Sequence, residues 1–344
     1  MAEKKYKLDF SNFKWGITLG AGTILGIAGF ALGLRTDDLV NIVQQYYDQL
    51  AVVETLPAEL PTLESKETPE HLEPVGTEEA SSIDEKMKVG TFNIQVFGQS
   101  KSNKPEVMDA LAEIACEFDV MAVQEFRDKE EQVPFLYLEK INDTCPDTYA
   151  LVVSERLGRT SSKEQYAFYY NTTTTEFIEF SDFTYADPGD LFEREFFSAK
   201  FVTGNFSYVL SNNHIKPDEA YDEIEVLVTE GYDTAKSQYS GEDDFIFLGD
   251  LNADCTYLNE SEWEYLLGLS DLTSLIPSSV DTTVKSSDCA YDRILISPGM
   301  HEDYALEYGI IRFDEWDEMD QEFAEDISDH FPVWAKFYIN RDTQ

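Results

Sequence analysis

From Met87 onward the chain alternates short apolar runs with stretches of helical spacing, and several of the runs stop at a polar residue. Apolar runs this short, bounded by turn residues, fit strands covered on both faces. This reading predicts strands at 89–93, 120–124, 149–153, 166–170, 197–202, 207–212, 245–248, 291–296 and 333–338. Between them Val107, Leu111, Ile114 and Phe118 share one face of a helix predicted over 106–118. Similar spacing predicts helices over 132–141 and 218–236. Helices and strands alternate, yet several strands follow one another directly. That order fits an α/β architecture of two packed mixed β-sheets flanked by helices, a four-layer sandwich.

The front of the chain is different. Residues 16–34 form 19 residues without a charge, behind Lys4, Lys5, Lys7 and Lys14 and ahead of Asp37 and Asp38. Such a length nearly spans a hydrocarbon core. The charge asymmetry puts the N-terminus in the cytosol and the remainder outside. Two readings stand: an uncleaved membrane anchor, or a signal peptide cut near a Gly-Phe-Ala at 29–31, leaving a secreted protein. Gly22-x-x-x-Gly26 and Gly29-x-x-x-Gly33 give such a helix a face for weak self-association; a monomer is otherwise expected. Residues 35–50 have the spacing of a short stalk helix. Residues 54–85 are rich in Glu, Pro, Thr and Ser and read as a flexible spacer. The chain therefore divides into a tip and apolar segment (1–35), a stalk and spacer (36–86) and a globular domain (87–344).

The 68 acidic residues against 25 basic ones give a net charge of −43. A passive nucleic-acid binder with a basic face is excluded. An enzyme acting on nucleic acid is not, because bound cations supply the missing positive charge. The four cysteines, Cys116, Cys145, Cys255 and Cys289, contain no C-x-x-C pair, which argues against zinc. Their even number suits two disulfides in a domain outside the cytosol.

Polar residues cluster at the strand ends. Asn93 closes the first strand and Glu125 the second, within Ala-Val-Gln-Glu-Phe-Arg. His214 follows Leu-Ser-Asn-Asn, Asp250 and Asn252 lie in Gly-Asp-Leu-Asn, and Asp329 and His330 precede the last strand in Ser-Asp-His-Phe-Pro-Val. Strand ends present side chains to a shared cleft. Carboxylate and amide oxygens are the ligands that magnesium or calcium prefers, and two histidines supply a base and an acid for phosphoryl displacement. Of the other histidines, His71 falls in the spacer and His301 in a loop.

Residues 87–340 resemble the endonuclease/exonuclease/phosphatase superfamily, and within it deoxyribonuclease I. The narrower resemblance rests on Gly-Asp-Leu-Asn-Ala-Asp-Cys-Thr-Tyr (249–257), Asp-Thr-Thr (281–283), Cys-Ala-Tyr-Asp-Arg (289–293) and Leu-Gly-Arg-Thr-Ser-Ser-Lys-Glu (157–164). It implies a metal-dependent endonuclease that hydrolyses DNA to 5′-phosphate and 3′-hydroxyl ends by in-line attack of water. It pairs His214 with Glu164 and His330 with Asp292, leaving open which histidine is the base. It gives Glu125 the catalytic metal, magnesium or manganese, with Asn93, Asp250, Asn252 and Asp329 holding metal and scissile phosphate. Arg127 and Arg159 resemble groove-contacting arginines, Arg194 one near the phosphates, and Tyr291 a wall of the phosphate pocket. Two structural calcium sites are implied, one at Asp281 and Thr283, the other at Asp187, Asp190, Phe192 (through its carbonyl) and Glu195. A disulfide between Cys255 and Cys289 is implied as well. Cys116 and Cys145 match no cysteine of the family and either pair or stay reduced in the core. Ser162 stands where the family stacks a tyrosine in the minor groove. Two other readings remain: a phosphodiesterase of the same superfamily acting on RNA or a phospholipid head group, and a catalytically dead surface-binding protein. The arginines at 127 and 159 argue against a lipid enzyme, and the intact histidine pairs against a dead one.

Overall fold

The computed structural model describes residues 85–341. The tip, the 16–34 segment, the stalk and the spacer, with their glycine motifs and His71, lie outside the described residues. Among the described residues no helix is long and apolar enough to cross a membrane.

Two sheets of mixed direction lie face to face. The first has six strands in the order β12 (Tyr304–Ile310), β13 (Val333–Tyr338), β1 (Lys86–Phe97), β2 (Val120–Phe126), β4 (Gln165–Asn171) and β3 (Tyr149–Val153). Only its β1–β2 pair is parallel. The second runs β10 (Thr273–Ser274), β11 (Asp292–Ile296), β9 (Phe245–Asp250), β8 (Phe206–His214), β7 (Phe197–Thr203) and β5 (Thr175–Phe177), with β6 (Phe183–Thr184) also on β7. Its one parallel pair is β8–β9.

Strand alternation builds the layers. In β4, Tyr166 and Phe168 point between the sheets, where they meet Phe201, Leu210, Ile246, Ile294 and Ala335. Ala167 and Tyr169 point the other way, onto α2 (Pro105–Ala115) and α3 (Val133–Thr144). Helices α4 (Ala220–Val226), α5 (Tyr232–Gln238) and α6 (Glu260–Leu267) cover the second sheet through Ile224, Ala235 and Trp263. A short turn α1 (Gln99–Ser102) precedes α2, and α7 (Gln321–Ile327) joins the first helical layer.

The helix starts follow local chemistry. Pro105 opens α2. The Asp128 carboxylate accepts the N–H groups of Gln132 and Val133 at the head of α3. Asn259 and Glu262 form a reciprocal capping box on α6.

Several expectations need correction. The helix predicted over 106–118 stops at Ala115, because the chain must turn before β2; Phe118 is still buried. The helix predicted over 218–236 is interrupted. It opens with a 3₁₀ turn at Pro217–Glu219 and carries a π turn at Leu227–Gly231. Gly231 there packs against the Phe196 ring, with 3.1 Å between that ring and where a Cβ would sit. The strand predicted from 291 starts at Asp292. Cys116 and Cys145 are bonded to each other, as are Cys255 and Cys289.

Candidate active site

All the polar strand ends lie at one end of the two sheets, and register explains it. His214 pairs with Asp250 across β8–β9, and Asp250 pairs with Asp292 across β9–β11. Glu164 precedes β4 and His330 precedes β13. Both strands run antiparallel to their neighbours, so their N-terminal ends meet the C-terminal ends of β2 and β1.

Local backbone distortions aim the side chains. Register slips in β1–β2 between Asn93 and Phe97, and in β2–β4 between Val123 and Phe126. Glu125 sits in the second irregularity with φ +68°, and its Oε2 accepts the N–H of Val96 at 2.7 Å. Bulges of this kind redirect a side chain out of the pleat. Asn252 has φ +49°, and its N–H donates to Asp250 Oδ1 at 3.0 Å.

Two imidazoles face each other across this end. His214 Nδ1 lies 2.7 Å from Glu164 Oε1, and His330 Nδ1 lies 2.8 Å from Asp292 Oδ2. Each Nε2 is 3.6 Å from the same atom, Asp250 Oδ2. Asn93 Nδ2 donates to that oxygen at 3.0 Å and lies 3.4 Å from Glu125 Oε1. Arg194 clasps the first pair: Nε and Nη2 donate to the His214 carbonyl at 3.1 and 3.0 Å, and Nε is 3.5 Å from Glu164 Oε1. Arg127 spans Glu125 and Glu164 at 3.2 and 3.5 Å.

The charges follow. Burial pushes the Glu164 carboxyl up, but His214, Arg194 and Arg127 outweigh it and hold the group at about 2. Burial and Arg194 lower His214, yet Glu164 and Asp250 raise it, and the net shift is upward. Burial also lowers His330, while Asp292, Asp250 and Asp329 raise it well above its ordinary value. Burial raises Asp292 against the pull of His330.

Oxygen donors suited to a divalent cation surround the imidazoles. Asn93 Oδ1 is buried without a protein partner, and a hard cation is the partner such an oxygen lacks. Asp250, Asp292 and His330 offer ligand atoms within 4.8 Å of one another. The oxygen donors of Asn93, Glu125 and Asp250 are of the type a hard divalent cation takes. Asn252 donates to the Ile215 carbonyl, and Asp329 accepts from Gln95 Nε2 at 2.7 Å and Lys285 Nζ at 3.1 Å. Tyr291 stands beside His330, with ring centroids 6.2 Å apart, and Tyr257 flanks Tyr291.

Other expected residues lie further out. Arg159 pairs with Glu193 and Glu219 and donates to the Asp190 carbonyl, so its charge is engaged inside the protein. Asp187 accepts the N–H groups of Leu191 and Phe192, which folds the 187–195 loop back on itself. Asp281 Oδ1 accepts from Thr283 and Cys289. Ser162 is exposed. His301 bonds Thr273 on the short edge strand β10, away from this cluster.

Four residues around the site were not read from the sequence. Gln95 holds Asp329. The Tyr166 hydroxyl accepts the His214 N–H at 3.0 Å. Thr282 Oγ1 accepts the Asp292 N–H, and Ser328 Oγ donates to the Asn93 carbonyl at 2.6 Å. Ser328 opens the Ser-Asp-His motif and was within reach. Gln95 and Tyr166 sit inside apolar strands with nothing to mark them.

The sequence pattern of the endonuclease/exonuclease/phosphatase family matches residues 90–330. Mouse deoxyribonuclease-1-like 2 is 38% identical over 259 residues, covering 73% of this chain and 91% of its own. Mouse deoxyribonuclease-1 is 35% identical over 263 residues, covering 72% and 90%. A solved endonuclease/exonuclease/phosphatase family protein from Leptotrichia buccalis superposes with a TM-score of 0.53 at 19% identity, over 73% of this chain and 99% of that one, which is a likeness of fold. The chain belongs to the deoxyribonuclease I branch of the endonuclease/exonuclease/phosphatase family.

Proposed function

We propose that this protein is a metal-dependent endonuclease that hydrolyses DNA phosphodiesters to 5′-phosphate and 3′-hydroxyl ends. One observation carries the reading: two histidine–carboxylate pairs, one buried and one part-buried, whose Nε2 atoms both lie 3.6 Å from Asp250 Oδ2. With Nδ1 committed to a carboxylate, Nε2 is the atom left to move a proton. A scissile phosphate seated between the rings has one Nε2 on the side of the attacking water and the other on the side of the leaving oxygen. Glu164 and Asp292 orient the rings and stabilise their charged forms. Asn93, Glu125 and Asp250 hold a divalent cation, magnesium or manganese, with Asn252 and Asp329 at its rim. Bound there, the cation neutralises charge on the phosphate. Arg194 and Tyr291 shape the phosphate pocket. Arg127 is the arginine facing the DNA groove; Arg159, tied to Glu219 and Glu193, stiffens the loop beside it.

Calcium occupies the 187–195 loop, at Asp187, Asp190, the Phe192 carbonyl and Glu195, and the turn at Asp281 and Thr283. Two disulfides suit a domain working outside the cytosol. The 16–34 segment either anchors it there or is removed on export. Recovery of the protein from the membrane fraction, with the domain open to external protease, fits an anchor; a soluble product with a mature N-terminus near Leu32 sinks it.

The decisive assay is purified protein on supercoiled plasmid with magnesium and calcium, with and without a chelator. Nicking that stops with chelator and leaves ligatable 5′-phosphates is the expected outcome. Undamaged plasmid under every metal tested ends the proposal. Millimolar calcium should also raise the melting temperature, since a ligand held only by the native state stabilises it; an unmoved transition removes both calcium assignments.

A further inference from the structure

Glu223 is a fully buried carboxylate on α4 that takes no part in the chemistry outlined above. Its Oε1 accepts the N–H of Glu193 at 2.9 Å, and its Oε2 accepts the N–H of Lys216 at 3.1 Å. These two peptide groups border the His214 half of the site. Glu193 is followed by Arg194, whose guanidinium grips the His214 carbonyl and lies beside Glu164. Lys216 comes two residues after His214. The Glu193 side chain in turn accepts from the Thr160 hydroxyl at 2.6 Å and pairs with Arg159. One carboxylate behind the site thus joins the segments that carry Arg194 and His214, and through Glu193 the 157–164 loop.

We propose that Glu223 is a positioning residue: by holding both peptide groups at once it fixes the Arg194–His214–Glu164 geometry on which proton transfer depends. The inference rests on the proposed nuclease reading. A carboxylate suits the task because both oxygens accept and neither donates. A protonated or amide group presents one donor to a backbone N–H, and one of the two bonds is lost.

The surroundings make the group sensitive near neutrality. Burial pushes the carboxyl up, the two N–H bonds and Arg194 pull it down, and Glu219 repels it, leaving it at about 7. Tyr166, on the strand beneath, also faces it, and Lys216 lies at the edge of the same knot. The ionised, two-bond form therefore gains ground as pH rises from 6 to 8.

The test compares wild type with Glu223→Gln, which is locked in a neutral form, on plasmid DNA from pH 6 to 8. At pH 8 the variant should lose about tenfold to a hundredfold in kcat, in the range of a small misplacement of catalytic groups. KM should change by less than about twofold, because substrate is not touched. The wild-type advantage should shrink toward the acid end, where wild type also becomes neutral at this position. An advantage that is absent, or constant across the range, overturns the proposal. If Glu223→Gln does not fold, amide exchange in wild type decides. Protection at the Glu193 and Lys216 N–H groups should fall together below about pH 7 while β8 keeps its own, and equal protection at pH 6 and 8 overturns the tether. If wild type fails to cut DNA, the nuclease reading falls and the exchange experiment still reads the tether.

Discussion

Single atoms decide most of the chemistry proposed for this chain. General acid or base help is worth about 10²–10⁴-fold. His214→Ala and His330→Ala are each expected to slow plasmid nicking by at least about a hundredfold, and the double variant by far less than the product of the two. A folded His214→Ala protein that nicks at a near-normal rate ends the two-histidine mechanism. The imidazoles also make stability depend on pH. His330 is raised in the folded protein, so its contribution is complete below the unfolded value of about 6.5 and disappears as pH rises through the folded value. In metal-free protein the melting-temperature gap between wild type and His330→Gln should narrow from pH 6 to 9. A gap that widens contradicts the charged His330–Asp292 pair. Much at this scale was legible. His214, Asp250, Asn252, Asp329 and His330 were flagged by where apolar runs stop, and the motifs suggested their partners. Gln95 and Tyr166 were not legible, because a polar tip inside an apolar strand matters only once another strand lies opposite.

At the scale of elements, β9 supports the site. Gly249 has φ +146°, and a Cβ there would fall 1.9 Å from the Asn213 carbonyl. The close approach keeps His214 opposite Asp250 in the β8–β9 pair. Gly249→Ala should cost about 2 kcal/mol or more, by urea denaturation, and abolish nicking; a variant of native stability removes this account. The Cys116–Cys145 bridge ties the end of α2 to the end of α3 across a sequence separation of 29. Changing both cysteines to serine should lower stability by about 2–4 kcal/mol and leave nicking at 25 °C unchanged. A loss below about 1 kcal/mol would show that packing already holds the two helix ends. Strands such as β2 and β9 were readable because each opens with an unbroken apolar run, Val120–Val123 and Phe245–Leu248. Strand β12 was not, since it is an edge strand that exposes Leu306 and Tyr308. Helix α6 carries a start signal in Asn259 and Glu262, but its 8 residues have no long apolar stripe to mark them as a helix. The interrupted α4–α5 region reads as one helix because a π turn inserts a residue without altering the residue types.

Over the whole molecule, charge and architecture set the terms. With a net charge of −43 the protein repels DNA, and the phosphate must be met by cations. Fewer neutralising side chains mean a shallower salt dependence. In magnesium the slope of log affinity against log salt should stay below about 2, where a slope of about −0.9 corresponds to each phosphate neutralised. A slope steeper than about 4 would put the grip on lysine and arginine. Two packed sheets with helices outside were legible from the order of helices and strands, but the strand order within each sheet was not, because it depends on pairing between segments far apart in the sequence. The facing of the two sheets has a consequence of its own. Asn93 and Glu125 belong to one sheet, His214, Asp250 and Asp292 to the other, and Asn93 reaches Asp250 across the gap. Gln124 and Asn212 bond across it at 2.6 Å behind them. Neither half owns a working centre. During refolding from denaturant, cleavage returns only when the two faces close on each other. Restored nicking should trail restored circular dichroism, so the enzyme's own turnover serves as a clock for the final docking step.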